Sequence, residues 1–286
     1  MKCKTILAFG MILLFGGIVS ADSLITSETA VDSTSLTITL SGKVTLEMKK
    51  IPAGSFMMGS PENELGRATN EVQHKVTITK DYWLGMYEVT QAQWQAVMGG
   101  DNPSEFKKGE DYAVECVAWV AALAFCEMLN NDSSIQKPEG YQFSLPTEAQ
   151  WEYACRAGTT TALNSGKNLT AEKSECPNLD EVGWYGRNSG DSTHPVGQKK
   201  PNAWGLYDMH GNVWEWCQDW YGSYHGDVTD PVGPASGKFR VLRGGCWEDY
   251  RPRFFRSAFR SNGQPGRLRR GGNRIGFRLA LVPVQE

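Results

Sequence analysis

The sequence predicts one α+β domain in which irregular structure outweighs helix and strand. Three observations point there. Short runs of alternating apolar and polar residues near the amino end read as strands. Three stretches between residues 90 and 158 carry helical spacing or helix caps. Beyond them no long helical pattern follows, only short runs broken by Gly, Pro, Asn and Trp. At 286 residues and 40% hydrophobic content the chain can bury a sizeable core. No internal repeat and no linker divides it.

In chain order, "MKCKTILAFGMILLFGGIVSA" (1–21) has a Lys-bearing start, an apolar run and a small-residue end, the pattern of a cleaved signal peptide. A membrane anchor is the alternative, but the run is short for a span, and no other segment is long and apolar enough. Cys3 sits too early to carry a lipid after cleavage. An exported protein is expected: secreted, periplasmic or at the cell surface, with no transmembrane segment once the signal is removed. Residues 22–44 read as a polar lead-in and 45–286 as the folded domain. "KVTLEMKKIPAGSFMMGS" reads as a strand broken by a turn at Pro52-Ala53-Gly54, and "EVQHKVTITKDYWLGMYEVT" as two more short strands. Thr90 can cap a helix that carries Trp94 and Val97 and stops at Gly99. "CVAWVAALAFCEMLNN" is apolar on most of its surface, which predicts a buried helix. "LPTEAQWEYACRAG" offers a capping box of Thr147 and Gln150, closed by Gly158.

The net charge of -3 gives no global attraction to nucleic acid or an anionic membrane. Six cysteines follow the leader: Cys116, Cys126, Cys155, Cys176, Cys217 and Cys246. In an exported chain they permit disulfides in fifteen connectivities. Buried free thiols are the equal alternative. No C-x-x-C pair offers zinc spacing.

The phrases "IPAGSFMMGS" (51–60), "YEVTQAQW" (87–94), "LPTEAQWEYA" (145–154), "PVGQKKPNAWGLYDMHGNVWEWCQDWY" (195–221), "RVLRGG" (240–245) and "IGFR" (275–278) stand in that order. Together they resemble the formylglycine-generating-enzyme (sulfatase-modifying factor) family over about residues 45–280. The resemblance implies a variant of the C-type lectin fold and structural calcium. One calcium site would use Asp208, Gly211, Val213 and Glu215, with Gly211 and Val213 giving backbone oxygens. A second, with shifted spacing, would use Asn178, Leu179, Asn188 and Gly190. From the residues alone, Asp208 and Glu215 suit either an oxygen-lined cation site or loop-tying hydrogen bonds.

Family enzymes that use copper need two cysteines shortly after the "GGS" turn, because a thiolate pair binds the soft cuprous ion. Here Asp249 and Pro252 fall near those positions, and Cys246 comes too early to replace either. The family's iron branch uses three histidines, whereas His74, His194, His210 and His225 form no such cluster in sequence. No G-x-S-x-G elbow or phosphate-binding Gly-rich loop appears. A non-catalytic protein is therefore expected, with a divergent enzyme or accessory protein of the family as the alternative.

The Arg-rich segment "CWEDYRPRFFRSAFRSNGQPGRLRRGGNRIGFR" (246–278) decides between them. Arg and aromatics could bind nucleic acid, but an exported protein meets little of it. Arg256, Arg260 and Arg278 fall in family phrases and are expected to tie loops to the core. From Asp249 to Arg274 there is no Lys, Glu, Met or Trp and a single Gln. Those five types cannot arise when the first two bases of an asparagine codon are changed. The segment thus resembles the variable regions of diversity-generating retroelements, which mutate adenines at the end of genes for lectin-fold proteins. The expected binding face comprises Cys246, Asp249, Tyr250, Arg253, Phe254, Phe259, Ser261, Asn262, Gly263, Leu268, Arg269 and Arg270. Its ligand is expected to be a protein, not nucleic acid.

Overall fold

Where apolar and polar residues alternate near the amino end, the chain forms strands. The structure, a computed structural model, describes residues 34–266 and 272–284. The expected signal segment lies outside them. The first strand, β1 (Ser35–Ser41), pairs antiparallel with β2 (Val44–Ile51). Their turn passes through Gly42, whose φ of 56° lies in the left-handed region. β1 falls within the segment expected as a polar lead-in. Ile38 is buried, and Leu36 and Leu40 pack on the core. Its Ser and Thr residues occupy the other face, which is why the composition read as loose.

β3 (Gly54–Met58) and β4 (His74–Ile78) form a second hairpin, extended in parallel by β8 (Val228–Thr229). β5 (Tyr82–Gly85), β6 (Tyr141–Ser144) and β12 (Ala280–Pro283) complete a five-stranded sheet of order β1-β2-β5-β12-β6. β7 (Trp214–Trp220), β9 (Arg240–Arg243), β10 (Ser261–Gly263) and β11 (Ile275–Gly276) form a third sheet of order β10-β9-β7-β11.

The helices begin where the caps placed them. In α1 (Gln91–Met98) and α3 (Glu148–Arg156) both halves of the capping box are made, by Thr90 with Gln93 and Thr147 with Gln150. α1 ends at Gly99 in the left-handed conformation. α3 ends one residue before the expected glycine, with Ala157 at φ 45° ahead of Gly158. α2 (Trp119–Asn131) buries one face but leaves Val120 and Met128 exposed, so its apolar surface is not wholly covered. The side chain of Asn130 on α2 donates to the Phe143 carbonyl (2.9 Å) and accepts from the Phe143 N–H (2.8 Å). That pairing satisfies backbone groups on the end strand of the sheet. A short α4 (Pro177–Asp180) is the only α-helix after α3 among the described residues.

All six cysteines described are free thiols, five of them buried, which resolves the disulfide question toward packing. Large aromatic side chains fill the interior, and their polar edges find partners. Trp151 donates to Glu215 Oε2 (2.7 Å), Trp216 to the Val117 carbonyl (2.8 Å) and Trp119 to the Cys217 carbonyl (2.9 Å).

Buried arginines from the last third of the chain meet carboxylates from earlier elements. Arg278 is fully buried and reaches both oxygens of Glu215 at 2.6 Å. Arg243 meets Glu152 at 2.5 Å and also donates to the carbonyls of Ser257 and Phe259. Arg256 grips both oxygens of Glu71 at 2.7 Å, and Arg260 both oxygens of Glu148 at 2.7 Å. Burial works to raise the Glu148 pKa, but the Arg260 charge and hydrogen bonds, with Arg243, hold it below the usual range. Removing one partner of such a pair leaves an uncompensated buried charge. Arg278→Met is expected to cost about 3–5 kcal/mol in urea-denaturation stability. A loss within about 0.5 kcal/mol, the scale of an ordinary surface change, would show that the pair does not hold the fold.

Asp219 on β7 is 4% exposed and accepts the Glu148 N–H at 2.8 Å. Burial and the nearby Glu148 charge push its pKa from 3.8 to about 7. A carboxyl whose folded-state pKa is raised holds its proton longer when folded, so stability is lost as pH rises from 3.8 to about 7. Asp219→Asn removes this loss and keeps an acceptor. The variant should therefore gain on the wild type between pH 4.5 and 7.5, read from urea midpoints; the same difference at both values would count against it.

Candidate ligand-binding face

The expected face begins where β9 ends. Gly244 and Gly245 turn the chain at φ 97° and 88°. A Cβ on Gly245 would lie 2.5 Å from the Phe255 ring, so the turn has no room for a side chain there. The next residue corrects an expectation. Cys246 is fully buried and cannot present itself to a ligand, because the turn points it into the core. Its thiol donates to Asp249 Oδ2 at 3.2 Å, and the Trp214 indole donates to the same oxygen at 3.0 Å. Burial, then the Asp249 charge, pushes the Cys246 thiol well above its ordinary pKa. Burial also raises the Asp249 carboxyl, against the lowering effect of these donors. Asp249 is thus an anchor under the face, with only part of its side chain at the surface.

Tyr250 emerges 48% exposed. Its hydroxyl donates to Asp191 Oδ1 at 3.0 Å, and its ring packs where a Cβ on Gly186 would sit. Arg251 is exposed, and a single 3-10 turn, Pro252–Phe255, follows. The turn buries Phe255 against Tyr185 at 5.5 Å and leaves Arg253 and Phe254 half-buried at the surface. The Arg253 guanidinium stands 5.0 Å from the Phe254 ring centre. Phe254 lies 5.0 Å from Phe259, and Phe259 lies 6.1 Å from Trp214. Arg253, Phe254 and Phe259 are therefore one contacting group, pinned from below by buried Arg256 and Arg260. On β10, Ser261 is half-buried and Asn262 exposed.

Gly263 also departs from expectation as a position free to vary. A Cβ there would lie 2.5 Å from the Trp216 ring, so the sheet packing excludes a side chain as the backbone stands. Leu268, Arg269 and Arg270 lie outside the described residues. Arg251 was missing from the expected face. It is exposed beside Tyr250 in the same segment.

The residues expected at the first calcium site are close in the chain and unequal in role. Asp208 is 1% exposed. Its Oδ2 accepts the Gly197 N–H at 2.7 Å, while Oδ1 is buried with no partner. Gly211 has φ 148°, and a Cβ there would meet the Trp184 carbonyl at 2.2 Å. The Val213 N–H donates to Glu88 Oε1 at 3.1 Å. Glu215 departs from the expectation of a free ligand, since Arg278 and Trp151 already donate to its oxygens. Glu88, missed in the sequence, is buried here too, and burial followed by the charges of Asp208 and Glu215 pushes its pKa well up. Burial raises Asp208 to about 6 against the lowering effect of the Gly197 hydrogen bond and Arg278.

At the second set, Asn178 donates to the Asn168 carbonyl, and the Leu179 carbonyl accepts the N–H groups of Val182 and Gly183. Asn188 accepts the Tyr185 N–H and donates to Gly183, and Gly190 takes a left-handed turn at φ 62°. These groups close a loop on itself through hydrogen bonds. Among the described residues no group of three or more His, Cys, Asp or Glu is arranged to hold a metal. Nor is any helix there long and apolar enough to cross a membrane.

With this geometry in hand, the chain can be set beside known proteins. The solved structure of Treponema denticola variable protein 1 superposes with a TM-score of 0.74 at 34% identity, covering 87% of this chain and 99% of that one. The formylglycine-generating enzyme of Mus musculus is 33% identical over 221 residues, 72% of this chain and 53% of the enzyme. This chain thus spans about half the length of that relative. The chaperone protein LppX of Paenibacillus barcinonensis is 36% identical over 211 residues, 58% of this chain and 69% of that protein. Low helix content and short mixed sheets agree with the lectin-like fold of the first of these. Residues 41–282 match the sulfatase-modifying factor enzyme 1-like domain, and the chain belongs to the formylglycine-generating-enzyme (sulfatase-modifying factor) family.

Proposed function

We propose that this chain is a non-catalytic, exported binding protein whose C-terminal face, within residues 246–278, is diversified by a retroelement and takes a protein ligand. One observation carries the reading. Tyr250, Arg253, Phe254, Phe259 and Asn262 project from a segment whose backbone is held from beneath by the ion pairs of Arg256 and Arg260. Side chains so mounted can change without altering the support, and rigid presentation lowers the ordering cost of binding. Tyr, Phe and Arg suit such a face as anchors. The likeness to a variable protein of Treponema denticola supports the same reading.

Calcium belongs to the proposal at the first site only. Asp208, with its unpartnered oxygen, and the carbonyls of Gly211 and Val213 would hold the ion, while Glu215 remains committed to Arg278. Bound there, it would supply positive charge to a region where Glu88, Asp208 and Glu215 are buried around one guanidinium.

The competing reading is a family enzyme, which the match to formylglycine-generating enzymes favours. The buried Cys246 thiol, pushed well up by its surroundings, is poorly disposed to form a thiolate. Conversion of cysteine to formylglycine on a sulfatase peptide, dependent on Cys246, would overturn the binding reading; no conversion is expected.

The diversification is tested in the DNA. A near-copy of the 246–278 coding segment is expected beside a reverse-transcriptase gene, differing only at template adenines. Lack of such a copy, with codons that do not fit adenine change, would end that part of the proposal. For calcium, a chelator is expected to lower the melting temperature by several degrees. The ion is ruled out if the melt is unchanged and elemental analysis of the purified protein finds no calcium.

A further inference from the structure

The acids and bases of the face are unequally matched. Its acidic groups already have partners. Glu248 pairs with Arg274, Asp191 accepts the Tyr250 hydroxyl, and Asp249 accepts from Cys246 and the Trp214 indole. Its cations do not. Among the described residues neither Arg251 nor Arg253 forms an ion pair, whereas Arg256, Arg260, Arg274 and Arg278 all do. Arg253 Nε is buried with no hydrogen-bond partner at all. By count the three acids, Glu248, Asp249 and Asp191, balance the three arginines, Arg251, Arg253 and Arg274; what sets Arg251 and Arg253 apart is that neither is paired with a carboxylate.

Resting on the binding-face reading above, we infer that the partner is an acidic protein segment in which carboxylates flank an apolar side chain. The carboxylates would meet Arg253 and Arg251, and the apolar side chain would lie on the Phe254–Phe259 pair. A guanidinium half withdrawn from water beside an aromatic ring is a strong donor to a carboxylate, which accepts its two parallel N–H groups. The Nε of Arg253 is buried, so the carboxylate would meet the terminal N–H groups of the guanidinium. Phe254 and Phe259 rest on the core and are half-buried, and the edges they leave at the surface supply apolar area that a purely ionic ligand would leave unused. Nucleic acid is the weaker fit, because phosphate tracking needs many cations along a groove and the chain is acidic overall.

The test uses the full chain and a phage library of random dodecapeptides. Peptides enriched on the protein are expected to be acidic with a central apolar residue. Hydrogen exchange should show them protecting residues 249–262. Their affinity should fall about tenfold in Arg253→Ser, and less in Arg251→Ser, and should weaken as sodium chloride rises from 50 to 500 mM. Both substitutions are at the surface, and unchanged melting temperatures will verify that the variants fold. Acidic peptides bound equally well by the double variant would overturn the inference. So would neutral or basic peptides that protect the same residues, although the binding face itself would then stand. Peptides that protect another surface would remove both the face and the inference. A short DNA duplex competing at the face more tightly than the peptides would assign the cations to phosphate and overturn the acidic-protein partner.

Discussion

A guanidinium taken out of water must be met by an acid, and this chain depends on that requirement in five places. Arg156, Arg243, Arg256, Arg260 and Arg278 are each at most 5% exposed. All find glutamates: Glu152 serves Arg156 and Arg243, Glu148 serves Arg260 and stands 3.6 Å from Arg243, Glu71 serves Arg256, and Glu215 serves Arg278. In four of these five cases the arginine comes from residues 243–278. With little regular structure in that third, backbone ladders alone cannot hold it. The ion pairs and the carbonyls they reach fix its path, because breaking one leaves a buried charge uncompensated.

The same pairs explain how one stretch serves two purposes. Between Asp249 and Asn262 the chain alternates between residues sunk into this network and residues left outside it. Phe255, Arg256, Ser257, Ala258 and Arg260 face inward, while Tyr250, Arg251, Arg253, Phe254 and Phe259 reach the surface in varying degree. Within the inward set, Arg256 and Arg260 cannot change without stranding Glu71 or Glu148. The outward set makes no ion pair with the network: Phe254 and Phe259 rest on the core, and Tyr250 rests on Asp191 and Gly186. Rigidity and tolerance thus come from neighbouring positions with different partners.

Buried carboxylates without a full complement of positive charge lie on the other side of the molecule's electrostatics. Glu88 and Asp208 have raised pKa values because burial opposes ionisation, with the charges of Asp208 and Glu215 acting on Glu88 and that of Glu215 on Asp208, and Arg278 is shared among them. The orphaned Asp208 oxygen belongs to the same imbalance. Asp219 repeats it near Glu148, where one acid is held low by Arg260 and its neighbour is left high.

Much of the fold was legible in the sequence, because it rests on local signals. The capping boxes at Thr90 and Thr147 formed, since a hydroxyl and an amide three residues apart need only each other. The family phrases carried the lectin-like architecture, and the roles of Arg256, Arg260 and Arg278 as internal ties followed from them. What the sequence could not decide was set by distance in space. β1 was hidden by its Ser and Thr composition until β2 gave it a partner. Cys246 and Gly263 sit in a stretch that looks variable, yet Asp249 and Trp214 enclose one and Trp216 crowds the other. From its residues Glu215 suited a cation site or loop-tying hydrogen bonds, and the tertiary structure brought Arg278, sixty-three residues away, to its oxygens. Local chemistry determines where an element starts and stops; only the packed structure decides which buried charge meets which.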